Sequence, residues 1–284
     1  MSDPVPVITM FLKGYDLPLG ERTCLMGILN VTPDSFSDGG RYRDVNSAVE
    51  HALRMAEEGS DIIDVGGEST RPGAARVDPG EEMRRVVPVI KALSKKIKVP
   101  ISVDTSKSEV ARAAIAEGAV IVNDITALRG DAGMAGVIAE SGVSVILMHM
   151  KGDPETMQED PGYGDVMKEI SAYLVESIYR AEMAGIDPDS IAIDPGIGFG
   201  KLTGHNLEIL RRLAELKVLG KPILVGTSRK SFIGELTGRE PEKRAFGTAA
   251  SVAVAIMNGA DMIRVHDVGE MRDVAQVIDA IKTG

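Results

Sequence analysis

The sequence predicts an α/β chain folded as a single-domain (β/α)8 TIM barrel, and three observations carry that expectation. Eight apolar runs of four to six residues recur through the 284 residues, helix-length amphipathic patterns separate them, and most of the runs end in polar side chains. Strict alternation of strand and helix indicates parallel βαβ units, and eight such units in succession is the count that closes a barrel. An open doubly wound sheet is the alternative. The GxGxxG turn of its dinucleotide-binding version is absent after the first strand, and GIGFG at 196–200 does not match it. No low-complexity linker divides the chain, so residues 23–284 read as one barrel domain. Residues 1–22 read as a short N-terminal extension, expected to form a β-hairpin around KGYDLPLG.

The first strand, LMGILN, ends at Asn30 and opens into the polar loop NVTPDSFSDGG, before the helical pattern SAVEHALRMAEEG. DIIDV ends at Asp64 ahead of GGESTRPGA and the helix EEMRRVVPVIKALSKK. PISVD ends at Asp104, and Thr105 or Ser106 is placed to cap the helix SEVARAAIAEG. AVIVND brings Asn123 and Asp124, then the helix MAGVIAESG. VSVILM ends in Met148 and His149, and a long helix follows over 166–185. IAIDP ends at Asp194, followed by NLEILRRLAELK, and PILVG runs into GTSRKSFIG and the helix AFGTAASVAVAIMNG. DMIRV closes the series with Arg264 and His266. Gly59, Gly118, Gly142 and Gly259 each stand between a helix and a strand, as C′ caps do.

Composition narrows the function. A net charge of −10 and the absence of tryptophan argue against a nucleic-acid surface, so any anion must meet local basic groups. No apolar run approaches the roughly 18 residues that a membrane span needs. The stretch MSDPVPVITM lacks the basic start and long apolar run of a secretory signal, and there is one cysteine; a cytoplasmic location is expected, with Cys24 a small buried hydrophobe at a strand start.

In a barrel the C-terminal strand ends surround the active-site mouth. Period two puts Ile62 with Asp64, Ser102 with Asp104, and Arg264 with His266 on common faces, while the opposite face must be apolar under the helices. Asp64, before two glycines, reads equally as a turn former. Arg264 needs an anionic partner if it is buried; a salt bridge to Asp64 or another carboxylate is the structural alternative to a phosphate contact. His149 reads equally as a packed, hydrogen-bonded residue. The basic GTSRKSFIG loop suits an anion or a ring, since loops after strands seven and eight commonly hold phosphate.

Taken together, MGILNVTPDSFSDGG, DIIDVGGESTRPGA, VDTSK, VNDI, LMHM, DPGIGFGK, SRKSFIG and RVHDV resemble, in order, the motifs of the dihydropteroate synthases of folate biosynthesis, over the length of the chain. The resemblance implies condensation of 6-hydroxymethyl-7,8-dihydropterin diphosphate with 4-aminobenzoate, assisted by Mg2+. It implies a catalytic set of Asn30, Asp104, Lys230, Arg264 and His266. Asp104, Asn123, Met148, Asp194, Lys230 and Arg264 would hold the pterin. Thr70, Arg71, Pro72, Phe199, Lys230 and Ser231 would form the aminobenzoate pocket. Asn30, Arg264 and His266 would hold the diphosphate, with Asn30 also the metal ligand, and Asp34, Ser35 and Phe36 would belong to a lid. A homodimer formed through the last helices is implied as well. A pterin-dependent methyltransferase of the same barrel family, or a synthase taking a modified aminobenzoate, are the alternatives; the first needs neither STRPGA nor a diphosphate site at RVHDV.

Overall fold

The computed structural model describes residues 10–32, 41–69, 76–152, 157 and 161–283, with the backbone alone for 41–44. The elements follow as β1 (Cys24–Asn30), α1 (Arg41–Glu57), β2 (Ile62–Gly66), α2 (Pro79–Leu93), β3 (Ile101–Asp104), α3 (Ser108–Ala116), β4 (Ile121–Asp124), α4 (Met134–Ser141), β5 (Ser144–Met148) and α5 (Val166–Met183). They continue as β6 (Ile191–Asp194), α6 (Thr203–Arg212), β7 (Leu224–Val225), α7 (Ser231–Thr237), α8 (Ala245–Met257), β8 (Met262–Val265) and α9 (Val268–Thr283). All eight expected strands are present, in the hydrogen-bonded order β6-β5-β4-β3-β2-β1-β8-β7, and each neighbouring pair is parallel. A parallel bridge between Ile193 and Ile223 brings β6 to the start of β7, so the sheet curls into a barrel.

Period two sorts the side chains as the sequence predicts. Ile63, Val65, Val103, Val122, Val145, Leu147, Ile193 and Val265 face outward and bury against the helices in the main core. Cys24, Met26, Ile62, Ile121, Ile146, Ala192, Leu224 and Met262 form a second cluster inside the barrel, closed from below by Met10, Leu12 and Leu19. Those last three come from the segment before β1, where an antiparallel bridge joins Leu12 to Tyr15 across a turn at Lys13 and Gly14. Burial of the Cys24 thiol pushes its pKa up to about 12, which fits a packed hydrophobe and not a nucleophile. The interior therefore changes character along its axis. Apolar side chains fill the lower end, and the polar strand ends are left for the upper one.

Local chemistry explains the helix ends, with one departure from expectation. Asp78 caps α2 by accepting from the Glu81 amide, and Asp165 caps α5 by accepting from Met167 and Lys168. Helix α3 instead begins after Lys107, which provides no side-chain cap. The Ser108 amide is met by Asp131 from beyond β4, and Thr105 Oγ1 accepts from the Lys107 amide, so neither Thr105 nor Ser106 caps the helix in the expected way. The four interelement glycines all have positive φ; Gly142, at +63°, ends α4 with its amide donating to the Ile138 carbonyl. Helices α7 and α9 are additions to the seven patterns recognised in the sequence.

Candidate active site

Arg264 stands at the centre of the barrel mouth. From β8 its Nε donates to Asp64 Oδ2 on β2 at 2.7 Å, and its Nη2 donates to Asp104 Oδ2 on β3 at 2.7 Å. The salt bridge raised as the structural alternative is therefore real, and it is shared between two carboxylates. Asn123, from β4, donates its Nδ2 to the same Asp64 oxygen at 3.1 Å. These residues reach one another because register partners carry them: Asp104 pairs with Gly66 and Asn123 with Asp104 across adjacent strands. Gly66 leaves room between two of the groups, since a Cβ built there would lie 3.5 Å from the Asp104 Cβ and 3.9 Å from the Asn30 Oδ1.

The electrostatics record the crowding. Burial and the nearby Asp64 carboxylate outweigh the Arg264 guanidinium and raise the Asp104 pKa to about 7. Burial likewise raises the Asp194 carboxyl above its ordinary range. Lys230, at the start of α7, has its pKa lowered to about 8 by burial and then by Arg264, with Asp194 and Asp104 opposing. Its Nζ lies 4.1 Å from the centroid of the Phe199 ring, a cation–π contact. Phe199 packs with Ile125, Met148, Met150 and Met157 in a small apolar cluster of its own. The mouth thus joins a charged, hydrogen-bonding side to an apolar, aromatic side.

The loop after β6 is held from beneath by two expected residues, Asp194 and His149, and by Lys201, which sequence reasoning passed over. Asp194 Oδ1 accepts from the Gly196 amide at 2.7 Å. Gly196 has φ +69°, and a Cβ built there would fall 1.9 Å from the His149 carbonyl oxygen, so only glycine fits. Lys201 is buried with its Nζ 2.9 Å from His149 Nδ1 and 2.9 Å from the Phe199 carbonyl oxygen. Burial holds the Lys201 pKa well below the ordinary lysine range, and burial followed by Lys201 lowers that of His149 to about 2. His149 is therefore neutral, and the packed, hydrogen-bonded reading of it holds. A second group joins the half-buried Lys107 and Glu68 to the buried Glu82, with Glu68 also accepting from the Val77 amide. The signals for these residues were present in GGE, TSK and GFGK, but a lysine inside a loop motif reads first as a solvated one.

Of the residues expected at the site, the strand ends bring together Asn30, Asp104, Asn123, Met148, Asp194 and Arg264, and the loop after β7 adds Lys230, with Phe199 beside it. His266 lies one residue past β8, its Nδ1 2.9 Å from Ser228 Oγ, in the loop after β7. Ser231 is the first residue of α7 and is exposed. Thr70, Arg71, Pro72, Asp34, Ser35 and Phe36 lie outside the described residues. Among the described residues no group of three or more His, Cys, Asp or Glu is arranged to hold a metal. Asn30 offers one neutral, half-buried amide oxygen at the rim, which fits an ion that takes its remaining ligands from water and phosphate.

Comparison with known proteins agrees with this geometry. A family model described as "Pterin binding enzyme" matches residues 26–266. The chain is 50% identical over 271 residues to the dihydropteroate synthase of Escherichia coli strain K12, covering 95% of each. It superposes with a TM-score of 0.92 and 44% identity on the Yersinia pestis dihydropteroate synthase in a sulfonamide drug complex, covering 97% of this chain and 100% of that one. With the Xanthomonas albilineans dihydropteroate synthase solved with 4-aminobenzoic acid, the TM-score is 0.88 and the identity 51%, over 93% of this chain and 94% of the other.

Proposed function

The chain belongs to the pterin binding enzyme family, among its dihydropteroate synthases, and from that premise we propose how its own residues perform the reaction. As a synthase of this kind it is a transferase that joins 6-hydroxymethyl-7,8-dihydropterin diphosphate to 4-aminobenzoate, giving 7,8-dihydropteroate and diphosphate. The observation that carries the residue assignment is the cluster of Asp104, Asn123, Asp194 and Lys230 around Arg264 at the closed end of a barrel mouth. Buried polar groups must be matched, and a flat heterocycle bearing several N–H donors and a carbonyl matches this set.

In this reading Asp104, Asn123 and Asp194 accept from the ring, Lys230 donates to its carbonyl, and Met148 and Arg264 lie against its faces. Arg264 spends two of its five donors on Asp64 and Asp104, and three remain for diphosphate oxygens. His266 and Asn30 complete the diphosphate contacts. The C–O bond to the diphosphate breaks, a C–N bond to the arylamine forms, and the amine nitrogen gives up its proton to solvent or to the released diphosphate. No protein nucleophile is needed. Holding the exocyclic methylene on C6 close to the amine lowers the barrier through proximity, and Arg264 and His266 stabilise charge on the departing group. Asn30 would hold Mg2+, which when bound neutralises further charge on the diphosphate. Phe199 and Lys230, with Ser231 beside them in sequence, serve the aminobenzoate side.

We place the reaction in the cytosol; among the described residues no helix is long and apolar enough to cross a membrane. A second copy of the chain is the proposed partner, docking on the exposed apolar side chains of α8 and α9. The deciding experiment mixes purified protein with both substrates and Mg2+ and follows dihydropteroate by chromatography. Product formation that depends on all three is expected, and no product with 4-aminobenzoate would remove the assignment.

A further inference from the structure

We propose that Asp64 is a positioning residue of the ring site: its Oδ2 accepts from both Arg264 and Asn123 and thereby fixes which atom of the Asn123 amide faces the ligand. The proposal rests on the function argued above and extends it to a residue that touches no substrate.

Asp64 sits on the inward face of β2, one step above Ile62, and is completely buried. Its Oδ2 lies 2.7 Å from Arg264 Nε and 3.1 Å from Asn123 Nδ2. Its Oδ1, and the Oγ of its register partner Ser102, have no hydrogen-bond partner among the described residues. A carboxylate that only framed the barrel would be a costly choice. Burying it with one oxygen unmatched is unfavourable, and well-packed apolar residues do the framing at least as well. Among the described residues its side-chain hydrogen bonds all come through the one oxygen, so its contacts with Arg264 and Asn123 are what the buried carboxylate depends on.

The consequence for Asn123 is chemical. An ionised carboxylate only accepts, so the Asn123 amide must present its Nδ2 to Asp64 and keep its Oδ1 as an acceptor for the ligand. Asp104 and Asp194 accept as well once ionised, and the three together then suit a ring edge that donates. Arg264, bracketed by Asp64 through Nε and by Asp104 through Nη2, is held by the same carboxylate. Without the Asp64 charge the amide can turn over, and the edge that Asn123 reads is no longer required to be a donor. A buried site that hydrogen-bonds a ligand donor rejects analogues lacking it by large factors, because its own groups are then left unpaired.

The test measures binding rather than turnover, by calorimetry with 7,8-dihydropterin, oxidised pterin, which lacks the N8–H, and 7,8-dihydrolumazine, which carries oxygen in place of the 2-amino group. In Asp64→Asn the preference for dihydropterin over at least one analogue is expected to fall by fivefold or more. Asp64→Glu keeps the charge but moves the oxygens by a methylene, and gives the same fall if the asparagine variant does not fold. General loosening of the barrel weakens all three ligands alike and leaves the ratios unchanged. Ratios within fivefold of wild type in a folded variant therefore overturn the proposal, as does an equal fall in Ser102→Ala, which leaves both Oδ2 contacts in place. Wild-type protein that binds none of the three refutes the parent function, and this inference with it.

Discussion

Asp104 carries the sharpest consequence at the scale of a single residue. Its pKa is raised from 3.8 to about 7, first by burial and also by Asp64, against the pull of Arg264. Between those two values the folded chain holds a proton that the unfolded chain has released, so stability falls as pH rises through that window. The penalty is complete above about 7 and absent below the unfolded value. Asp104→Asn is therefore expected to raise Tm at pH 8, to lose most of that gain by pH 5, and to lose turnover at both. A Tm difference that does not change with pH would show that the carboxylate is not strained. Lys230 sets the opposite limb. Burial and then Arg264 lower its pKa to about 8, so its cation is lost as pH rises through that value. The KM for 4-aminobenzoate should rise above pH 8, and the limb should vanish in Lys230→Met, measured by initial rates across the range. An unaltered limb in that variant would assign the titration to another group.

At the scale of an element, the loop after β6 shows both what sequence reveals and what it hides. Its polar start, Asp194, was legible because every inward position of an apolar strand end that turns polar needs a reason, and seven strand ends turned polar together. The same logic found Asn30, Asp104, Asn123 and Arg264. It missed the Lys201–His149 contact, which joins residues 52 apart in the chain and exists only because β5 and β6 are neighbours. It also left Asp64 undecided, since a turn former and a buried acceptor have the same neighbours in sequence. The cap of α3 was misplaced for a related reason: Asp131 reaches the Ser108 amide across a gap that no local pattern encodes. The loop itself depends on Gly196. A side chain there meets the His149 carbonyl oxygen and would also occupy a left-handed φ of +69°, which alone costs about 1 kcal/mol. Gly196→Ala should lower Tm by several degrees and raise the KM for 4-aminobenzoate about tenfold or more through displacement of Phe199, a split that steady-state kinetics can resolve. Wild-type values for both would show that the loop has room to move.

Across the whole molecule, the pattern of alternating apolar runs was enough to count the strands and close the barrel, because a parallel sheet buried on both faces leaves few other arrangements. What lies on the outside is less determined, since surface apolar residues are ordinary taken singly. Here they are not single. On α8, Phe246 is 91% exposed, and Met257 follows it by eleven residues, about three helical turns, with exposed Val254 within about 80° of the same direction. On α9, which packs against α8, Val277 and Ile281 are exposed and spaced by four. Two adjoining helices that present apolar stripes to water form a surface suited to isologous pairing, in which each stripe meets its own copy across a twofold axis. A stable interface buries about 1,200–2,000 Å² in total, which single scattered side chains do not supply. Light scattering at micromolar concentration is expected to give twice the mass of the chain. Replacing Phe246 and Ile281 together by glutamate removes the apolar anchors and sets like charges against each other, so the variant should run at the mass of one chain. Its barrel core is untouched by either change, and its circular dichroism should match that of the parent. A single-chain mass for the unaltered protein would leave these stripes without a second copy to cover them.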